Sequence, residues 1–280
     1  MYFKSIFTLA ILLTSILLNQ VFAQNFSGEV VYQSKTIMKD NFKIEMEGAT
    51  PEMMKSLEDE LKKAFEKTYI LKFNAFEGLF MEEQQVQNEA KSGQVQFFSS
   101  AGNEKSYVNL KDKQSIRENE FLSKEFLIVD QLNTWDWVLT EETKKIGQYN
   151  AFKAICTLKV SEEALKEFEK MNEKQANSNT QIMVLTPPKE RQITVWFTPE
   201  IPVSLGPANY WGLPGLILEV HDGNTIWLCS KITLNPKGGV KIEKPKKGQR
   251  VNEKEYQELV TKKLESMKNG NGTIEFRIGG

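Results

Sequence analysis

The stretch FTPEIPVSLGPANYWGLPGLILEV, residues 197–220, combines more apolar content with more backbone-restricting residues than any other part of the chain. Four proline and glycine residues fall between positions 199 and 207. Proline lacks the N–H that a strand ladder needs, and glycine weakens a strand interior. Residues 197–210 are therefore predicted to form an ordered but irregular loop.

The loop is followed by a predicted tight turn and a strand. In Leu213-Pro214-Gly215-Leu216, proline at the second position and glycine at the third match a type II turn, in which Gly215 would adopt a positive φ. The alternation in residues 216–220 predicts a strand with Leu216, Leu218 and Val220 on one face. One tight turn would thus connect a stiff loop to a strand of the sheet.

Residues 211–217, WGLPGLI, carry the hexapeptide Gly-Leu-Pro-Gly-Leu-Ile, and here the chain resembles the GLPGLI family of exported bacterial proteins. Other segments also resemble that family, so the likeness covers most of the mature chain: residues 28–32, 126–130 with Trp137, 196–202 and 206–207. The resemblance implies no reaction, because the family has no established activity. Its members are often encoded beside outer-membrane transporters, which implies an envelope partner.

The amino terminus predicts export. Lys4 precedes an apolar run over residues 6–18, and Val21-Phe22-Ala23 provides a small-residue cleavage site, so residues 1–23 are expected to be a signal peptide cleaved after Ala23. The alternative is an uncleaved anchor. No cysteine near the cleavage site offers a lipid anchor, and no later apolar run is long enough to span a bilayer. Residues 24–280 are expected to be one soluble, periplasmic domain.

The net charge bears on which binding partners are expected, and the cysteine count bears on which disulfide bonds can form. The chain has 36 basic and 37 acidic residues, so neither nucleic acid nor an anionic membrane surface is an expected partner. Cys156 and Cys229 are its two cysteines. They can form one disulfide, but the phase of their flanking residues favours two separate thiols.

Periodicity predicts a mainly β fold of the α+β kind, a curved antiparallel sheet or half-barrel with one to three accessory helices. Helices are expected near residues 51–67, 161–175 and 252–268, the second too polar to fill a core. Gly78 is expected to mark a bend, residues 81–93 a loop, and residues 236–250 an extended linker. Strands are expected at residues 26–38, 69–80, 95–99, 105–110, 114–118, 126–130, 137–141, 192–197, 216–220, 225–234 and 273–278, with a hairpin over 144–160. By element order this is similar to the periplasmic lipoprotein-carrier fold.

Catalytic motifs are sparse in this sequence. His221 is the one histidine, so any Ser-His-Asp or Cys-His site would have to use it, and no Gly-x-Ser-x-Gly elbow exists. Carboxylates near residues 130–142 include Asp130 and Asp136, but no motif organises them into a glycosidase pair. No phosphate-binding glycine motif and no multi-histidine metal site are present. We therefore expect a protein that is not an enzyme and needs no cofactor or metal.

The remaining argument concerns recognition, because stiff aromatic loops lose little conformational entropy on binding. Candidate partner-binding or ligand-binding residues are Trp196, Pro207, Tyr210, Trp211, Leu213 and Pro214, with Gly212 and Gly215 as structural turn residues. Among the rings, recognition is favoured for Tyr210 and a structural role for Trp211.

Three functional hypotheses result from these observations. The first is a non-catalytic periplasmic binding or accessory protein for an outer-membrane transport or assembly protein, such as a TonB-dependent transporter. The alternative is a carrier that holds a lipid or acyl chain in a curved β-sheet cavity lined by phenylalanines. A hydrolase dependent on His221 is the third.

Overall fold

The computed structural model describes residues 26–36, 50, 52, 66–83, 105–176 and 187–266. Within them lie twelve strands and two helices of more than one turn. The strands are β1 (Ser27–Thr36), β2 (Glu66–Asn74), β3 (Glu77–Glu82), β4 (Lys105–Asn109), β5 (Gln114–Phe121), β6 (Lys124–Gln131), β7 (Val138–Ile146), β8 (Tyr149–Leu158), β9 (Arg191–Thr198), β10 (Leu216–Asp222), β11 (Thr225–Leu234) and β12 (Gln249–Val251). The helices are α1 (Glu162–Ala176) and α2 (Glu253–Ser266).

All twelve strands belong to one open sheet, in the order β12-β6-β5-β4-β3-β2-β1-β11-β10-β9-β8-β7. Every pairing is antiparallel except that of β12 with β6, which is parallel, so the sheet is mixed. β12 and β7 are its two edges, and the sheet does not close into a barrel. The predicted fold class is confirmed: a mainly β protein built on a large open sheet with few helices.

Alternation along the strands assigns side chains to the two faces of the sheet. On β1, Val30 and Tyr32 are fully buried, while their neighbours Glu29 and Val31 are partly exposed. The first core cluster joins strands β1 to β4 with residues of β8, β10 and the segment before β10, and includes Val30, Tyr32, Leu71, Phe73, Phe80, Ile201, Val203 and Leu205. Period-two burial of this kind is what the hydrophobic pattern predicted.

The predicted face assignment in β10 is wrong at its end. The pairing of β10 with β9 shifts between Ile217 and Glu219, which marks a bulge at Leu218. An extra residue in one strand reverses the phase beyond it. Leu216 and Leu218 therefore pack in the first core cluster, whereas Val220 packs with Ile217 in the second.

Two further local predictions are also wrong. Gly78 is not a bend: it lies within β3, between Phe73 and Val108 on the neighbouring strands, and β2 turns into β3 at residues 75–76. A Cβ at Gly78 would lie 3.0 Å from Leu205 Cδ1, so packing explains this glycine. The predicted helix 51–67 also ends too late, because residues 66 and 67 begin β2.

Both described helices begin with side-chain caps. Ser161 Oγ accepts a hydrogen bond from the N–H of Ala164 at 3.1 Å and so caps α1. At α2, Asn252 and Glu255 form a reciprocal capping box, each backbone N–H donating to the other side chain at 2.9 Å. α2 packs Tyr256 against Phe126 of β6, whereas α1 is mostly exposed, as its polarity predicted.

Several predictions lie outside the described residues. These are the signal peptide 1–23, most of the helix near 51–67, strands 95–99 and 273–278, and most of the loop 81–93; residues 81 and 82 of that loop prediction belong to β3. No helix within the described ranges is both long and apolar enough to cross a membrane. Cys156 and Cys229 are free thiols, as the residue phasing favoured. Burial raises the pKa of the Cys229 thiol to about 12.

Candidate functional site

Residues 199–215, here called the motif loop, connect β9 to β10 without a regular helix or strand. The predicted irregular loop began at residue 197, but residues 197 and 198 belong to β9. Its apolar residues Ile201, Val203 and Leu205 are at most 2% exposed. The backbone is braced across the loop: Gly212 N donates to Ser204 O at 3.2 Å, and the Ser204 hydroxyl donates to Leu213 O at 2.5 Å. The buried backbone polar groups named here thus find partners within the loop, which keeps an irregular segment stable.

The predicted type II turn is wrong, and the two glycines exchange the roles assigned to them. Gly215 does not have a positive φ, whereas Gly212 does, at +99°. Gly215 is needed for a different reason: a Cβ there would lie 2.2 Å from Thr198 O and 2.8 Å from Pro199 N. The end of the loop therefore passes against the end of β9 with no room for a side chain.

Tyr210 is largely buried, and the recognition role that was favoured for it stays a prediction. Its side chain is 5% exposed, and its hydroxyl donates to Asp222 Oδ2 at 2.6 Å. Its ring packs against Trp135 and Trp227, with centroids 5.3 and 5.6 Å away. Burial, and next the hydrogen bond to Asp222, raise the pKa of the Tyr210 hydroxyl well above its usual value.

A cavity of about 900 Å³ lies beside the motif loop. Its wall takes residues of one phase from consecutive strands: Phe80 and Glu82 of β3, Ser106 and Val108 of β4, and Ser115 and Arg117 of β5. Residues 208–211 of the motif loop also line it, as do Asp130 and Gln131 at the end of β6, Leu132, Asn133 and Trp135 after β6, and Glu253 at the start of α2. Tyr69 of β2 and Trp227 of β11 complete the lining. This volume is at the upper end of the range typical of small-molecule sites. The site is thus built on strands and closed by two loops.

Aromatic side chains dominate the apolar part of the cavity. Six of the residues that line it are aromatic: Tyr69, Phe80, Trp135, Tyr210, Trp211 and Trp227. The aliphatic lining is limited to Val108, Leu132 and Ala208. Tyr69 and Phe80 stack at 4.9 Å with an interplanar angle of 11°, and Trp135 stacks on Trp137 at 5.4 Å.

The indoles of the β6–β7 connection are tied to the motif loop. Trp135 Nε1 donates to Asn209 O at 3.1 Å, and Trp137 Nε1 donates to Trp211 O at 2.8 Å. Two segments about 75 residues apart in sequence are thereby held together on one side of the cavity. The rings at this wall are fixed before any ligand arrives.

The charged groups in the lining all have partners within the protein. Arg117 forms an ion pair with Glu253 at the start of α2, and Asp130 Oδ2 accepts a hydrogen bond of 3.1 Å from the Glu253 N–H. Glu82 is paired with Lys67 at 2.9 Å. The neutral polar lining consists of Ser106, Ser115, Gln131, Asn133 and Asn209.

The other predicted binding residues are placed differently. Trp211 is half-buried and lines the cavity, although a structural role was favoured for it. Trp196 does not line it: its ring lies under Lys144 Nζ, 4.3 Å from the ring centroid. Pro207 and Leu213 are buried and hold the loop, and Pro214 is exposed. The binding role of these six residues stays a prediction, now centred on Tyr210 and Trp211.

His221 takes part in a different cluster. Its Nε2 lies 2.6 Å from Glu219 Oε1, and Lys144 Nζ lies 2.7 Å from both Glu219 oxygens. Glu219 is 9% exposed, so Lys144 and His221 compensate a carboxylate that is largely withdrawn from water. None of the three lines the cavity.

The carboxylates suggested by sequence do not gather at one site. Asp130 lines the cavity, whereas Asp136 is exposed and interacts with Cys156 on β8. Glu142 pairs with Lys153 at 2.7 Å. Within the described ranges, no group of three or more His, Cys, Asp or Glu residues is arranged to hold a metal ion.

Sequence reasoning missed the strand residues of the cavity. Ser106 and Val108, and Ser115 and Arg117, stand at every second position of short strands, the phase opposite to the buried Tyr107 and Ile116. That alternation was readable in the sequence. Which of the two phases faces a cavity depends on the segments that cover each face, which local patterns do not contain.

Comparison with known proteins gives a partial family match and distant structural similarity. Residues 137–219 match a family model described as "Protein of unknown function (Porph_ging)". This range runs from the start of β7 to within β10, and it includes the motif loop. No curated protein gives a significant match to this chain.

Two crystal structures of PNGF-II, in space groups C2 and P21, are similar to this chain. The sequence identities are 16% and 15%, and the TM-scores are 0.47 and 0.46. The alignments cover 85% and 84% of this chain and 33% of the PNGF-II chain in both cases. The chain therefore spans about a third of the length of the solved structures that it matches.

Proposed function

We propose that this protein is a non-catalytic binding module whose ligand occupies the cavity beside the motif loop. The observation that carries the proposal is a cavity of about 900 Å³ with six aromatic side chains in its wall. A wall built on strands and fixed by indole-to-backbone hydrogen bonds loses little conformational entropy when a ligand binds.

The pairing of the charged groups favours binding over catalysis. A general acid or base must reach the reacting atom of the substrate. In the cavity, Arg117 is engaged by Glu253, Glu82 by Lys67, and Asp130 by the α2 backbone. These groups serve to position elements and to line the site.

We further propose that the protein works in the periplasm, beside an outer-membrane transport or assembly protein, and belongs with the GLPGLI family. The support is the predicted signal peptide and the hexapeptide at residues 212–217, which lies inside the matched range 137–219. Cross-linking in intact cells followed by mass spectrometry tests this partner. Recovery of the protein as a clean monomer at native expression would contradict it.

The cavity itself is tested by obstructing it. Ser115 lines the cavity from β5, so Ser115→Trp should take up part of the space and hinder a ligand there. Thr143→Trp is the matched control, because Thr143 is exposed on β7 and does not line the cavity. Each protein is equilibrated with the small molecules extracted from the envelope of producing cells, and native mass spectra are recorded.

We expect an added mass on the wild type and on Thr143→Trp, and a clearly smaller bound fraction on Ser115→Trp. The bound compound should also be recovered unchanged after prolonged incubation, because the module binds without catalysis. A bound compound that is converted would refute the non-catalytic part. A bound fraction on Ser115→Trp equal to that on the wild type would show that the ligand binds outside the cavity.

A further inference from the structure

The lining of the cavity also restricts the chemistry of the ligand, provided that the cavity is the binding site proposed above. We propose that the ligand is a neutral oligosaccharide. A sugar ring presents C–H groups on its faces and hydroxyls around its edge. Aromatic ring faces carry partial negative charge and pack well on C–H groups, while hydroxyls need donors and acceptors beside them.

The aromatic part of the wall suits sugar faces better than it suits an acyl chain. Six aromatic residues line the cavity, against three aliphatic ones, whereas aromatic residues are 10% of the whole chain. A lipid carrier would bury its hydrocarbon against a predominantly apolar wall. Here polar and charged residues line the cavity together with the rings.

The rings are arranged as a connected wall. Trp135 stacks on Trp137, contacts Tyr210, and is fixed by its indole N–H on Asn209 O. Tyr210 in turn meets Trp227 at an interplanar angle of 61°. Flat surfaces of fixed orientation favour a ligand with repeated flat faces, such as successive sugar rings.

The polar part of the wall supplies both donors and acceptors. Three side-chain amides lie at the exposed margin, in Gln131, Asn133 and Asn209, and each amide can donate and accept. The Arg117–Glu253 ion pair offers guanidinium donors beside carboxylate acceptors. Sugar hydroxyls can use both kinds of group at once.

The charges of the lining argue against an anionic ligand. Arg117 is the one basic residue in the lining of this cavity, against Glu82, Asp130 and Glu253. Arg117 is already neutralised by Glu253, so a free carboxylate or phosphate would meet unbalanced negative charge. This also weakens the expectation of a fatty-acid cargo.

The tryptophans provide the readout for a test. Three of the five tryptophans line the cavity, at positions 135, 211 and 227, so ligand binding should change the intrinsic fluorescence. The probes are purified cellohexaose, maltohexaose, xylohexaose and chitohexaose, with choline and palmitate as chemically different competitors. Fluorescence titration is paired with calorimetry on the full-length mature protein.

We expect at least one hexasaccharide to bind, and neither choline nor palmitate. Trp211→Ala should raise the dissociation constant about tenfold. Asn209→Ala, at an exposed position, should raise it about fivefold without loss of folding. Trp196→Phe is the control, because Trp196 lies outside the cavity lining, and its affinity and fluorescence change should match the wild type.

The outcomes separate this inference from the proposed function. If palmitate or choline binds instead of a hexasaccharide, and this binding is weakened in Ser115→Trp, the sugar assignment is overturned. The proposal that the cavity is a binding site would still stand. Failure of every hexasaccharide at millimolar concentration would also overturn it. Hexasaccharide binding that is unchanged in Trp211→Ala and Asn209→Ala would place the sugar outside the cavity.

Discussion

Two segments rich in proline and glycine cover the sheet, and they do so in opposite ways. The motif loop, residues 199–215, buries its apolar side chains, and hydrogen bonds between its own backbone groups brace it. Residues 235–248, here called the strap, run from β11 to β12 and are mostly exposed. The strap places Ile242 against Leu79, Tyr107 and Ile116, the phase of β3 to β5 that faces away from the cavity.

The difference lies in the side chains and not in the proline and glycine content. The motif loop alternates its turn residues with apolar ones that enter the core, such as Ile201, Val203 and Leu205. The strap carries lysines, and it is held at its margin: the N–H groups of Lys246 and Lys247 donate to Glu118 Oε1 at 2.9 and 3.0 Å. Apolar content therefore decides whether an irregular segment becomes core or covering.

The largest expected effect is at Tyr210. Tyr210→Ala should lower the free energy of unfolding by about 3–5 kcal/mol, because it removes a buried ring from between Trp135 and Trp227. Urea unfolding measures the change. Tyr210→Phe, which loses only the bond to Asp222, should cost about 1 kcal/mol.

Gly215→Ala should come next, at about 3 kcal/mol, because its Cβ would overlap the backbone of Thr198 and Pro199. Neighbouring backbone atoms cannot rotate away as a side chain can. Thermal and urea unfolding should both show the loss. A melting temperature equal to that of the wild type would mean that β9 and the end of the motif loop are further apart than described.

Gly212→Ala and Gly238→Ala compare the two segments directly. Both glycines have positive φ, +99° and +95°, and neither has an atom closer than 3.7 Å to an added Cβ. Each substitution should therefore cost only the backbone strain, about 1–2 kcal/mol. Similar losses in urea unfolding are expected. A much larger loss at Gly212 would show that the motif loop tolerates less adjustment than the strap.

The pH dependence of stability tests the role of Tyr107, which lies on the face of the sheet that the strap covers. Burial, and next the hydrogen bond to the Glu77 carboxylate, raise the pKa of the Tyr107 hydroxyl from 10.0 to about 12. The folded state keeps this proton longer than the unfolded chain does, so stability should be full below pH 10 and fall as the pH rises to about 12. Tyr107→Phe should make this decline shallower and cost about 1 kcal/mol at neutral pH. An unchanged alkaline decline would exclude Tyr107 as its source.

The smallest effect is expected at the charged margin of the strap. Glu118→Ala should lower global stability by about 0.5 kcal/mol, because its contacts with the strap are exposed to water. Limited proteolysis should nevertheless cut the strap faster in the variant. Glu120→Ala, on the same strand and outside these contacts, is the control. Equal cleavage rates in the two variants would show that Glu118 does not hold the strap.

Much of the local structure could be predicted because it depends on neighbouring residues. Strand β11 was predicted with its observed limits, 225–234, and helices were expected from residues 161 and 252, where Ser161 and Asn252 are the observed caps. The β10–β11 hairpin turns at Asp222-Gly223-Asn224, a sequence typical of hairpin turns, where Gly223 has a positive φ of +59°. Alternation, capping and turn chemistry act within a few residues.

The candidate site could be predicted only in part. Tyr210 and Trp211 were singled out, but their burial was reversed, because Tyr210 is covered by Trp135 and Trp227 from other elements. The strand residues Ser115 and Arg117 were not proposed at all. Their importance depends on α2 and the motif loop closing over the same face of the sheet.

The sequence by itself determined the mainly β class, most strand positions, two helix starts and the irregular character of residues 199–210. The tertiary structure alone decided that β1 lies between β2 and β11, that Gly215 is required by the nearby β9 backbone, and that a bulge at Leu218 changes the phase of β10. The reason is physical. Periodicity and capping are properties of adjacent residues, whereas close approach and burial arise from segments that meet only after the sheet has assembled.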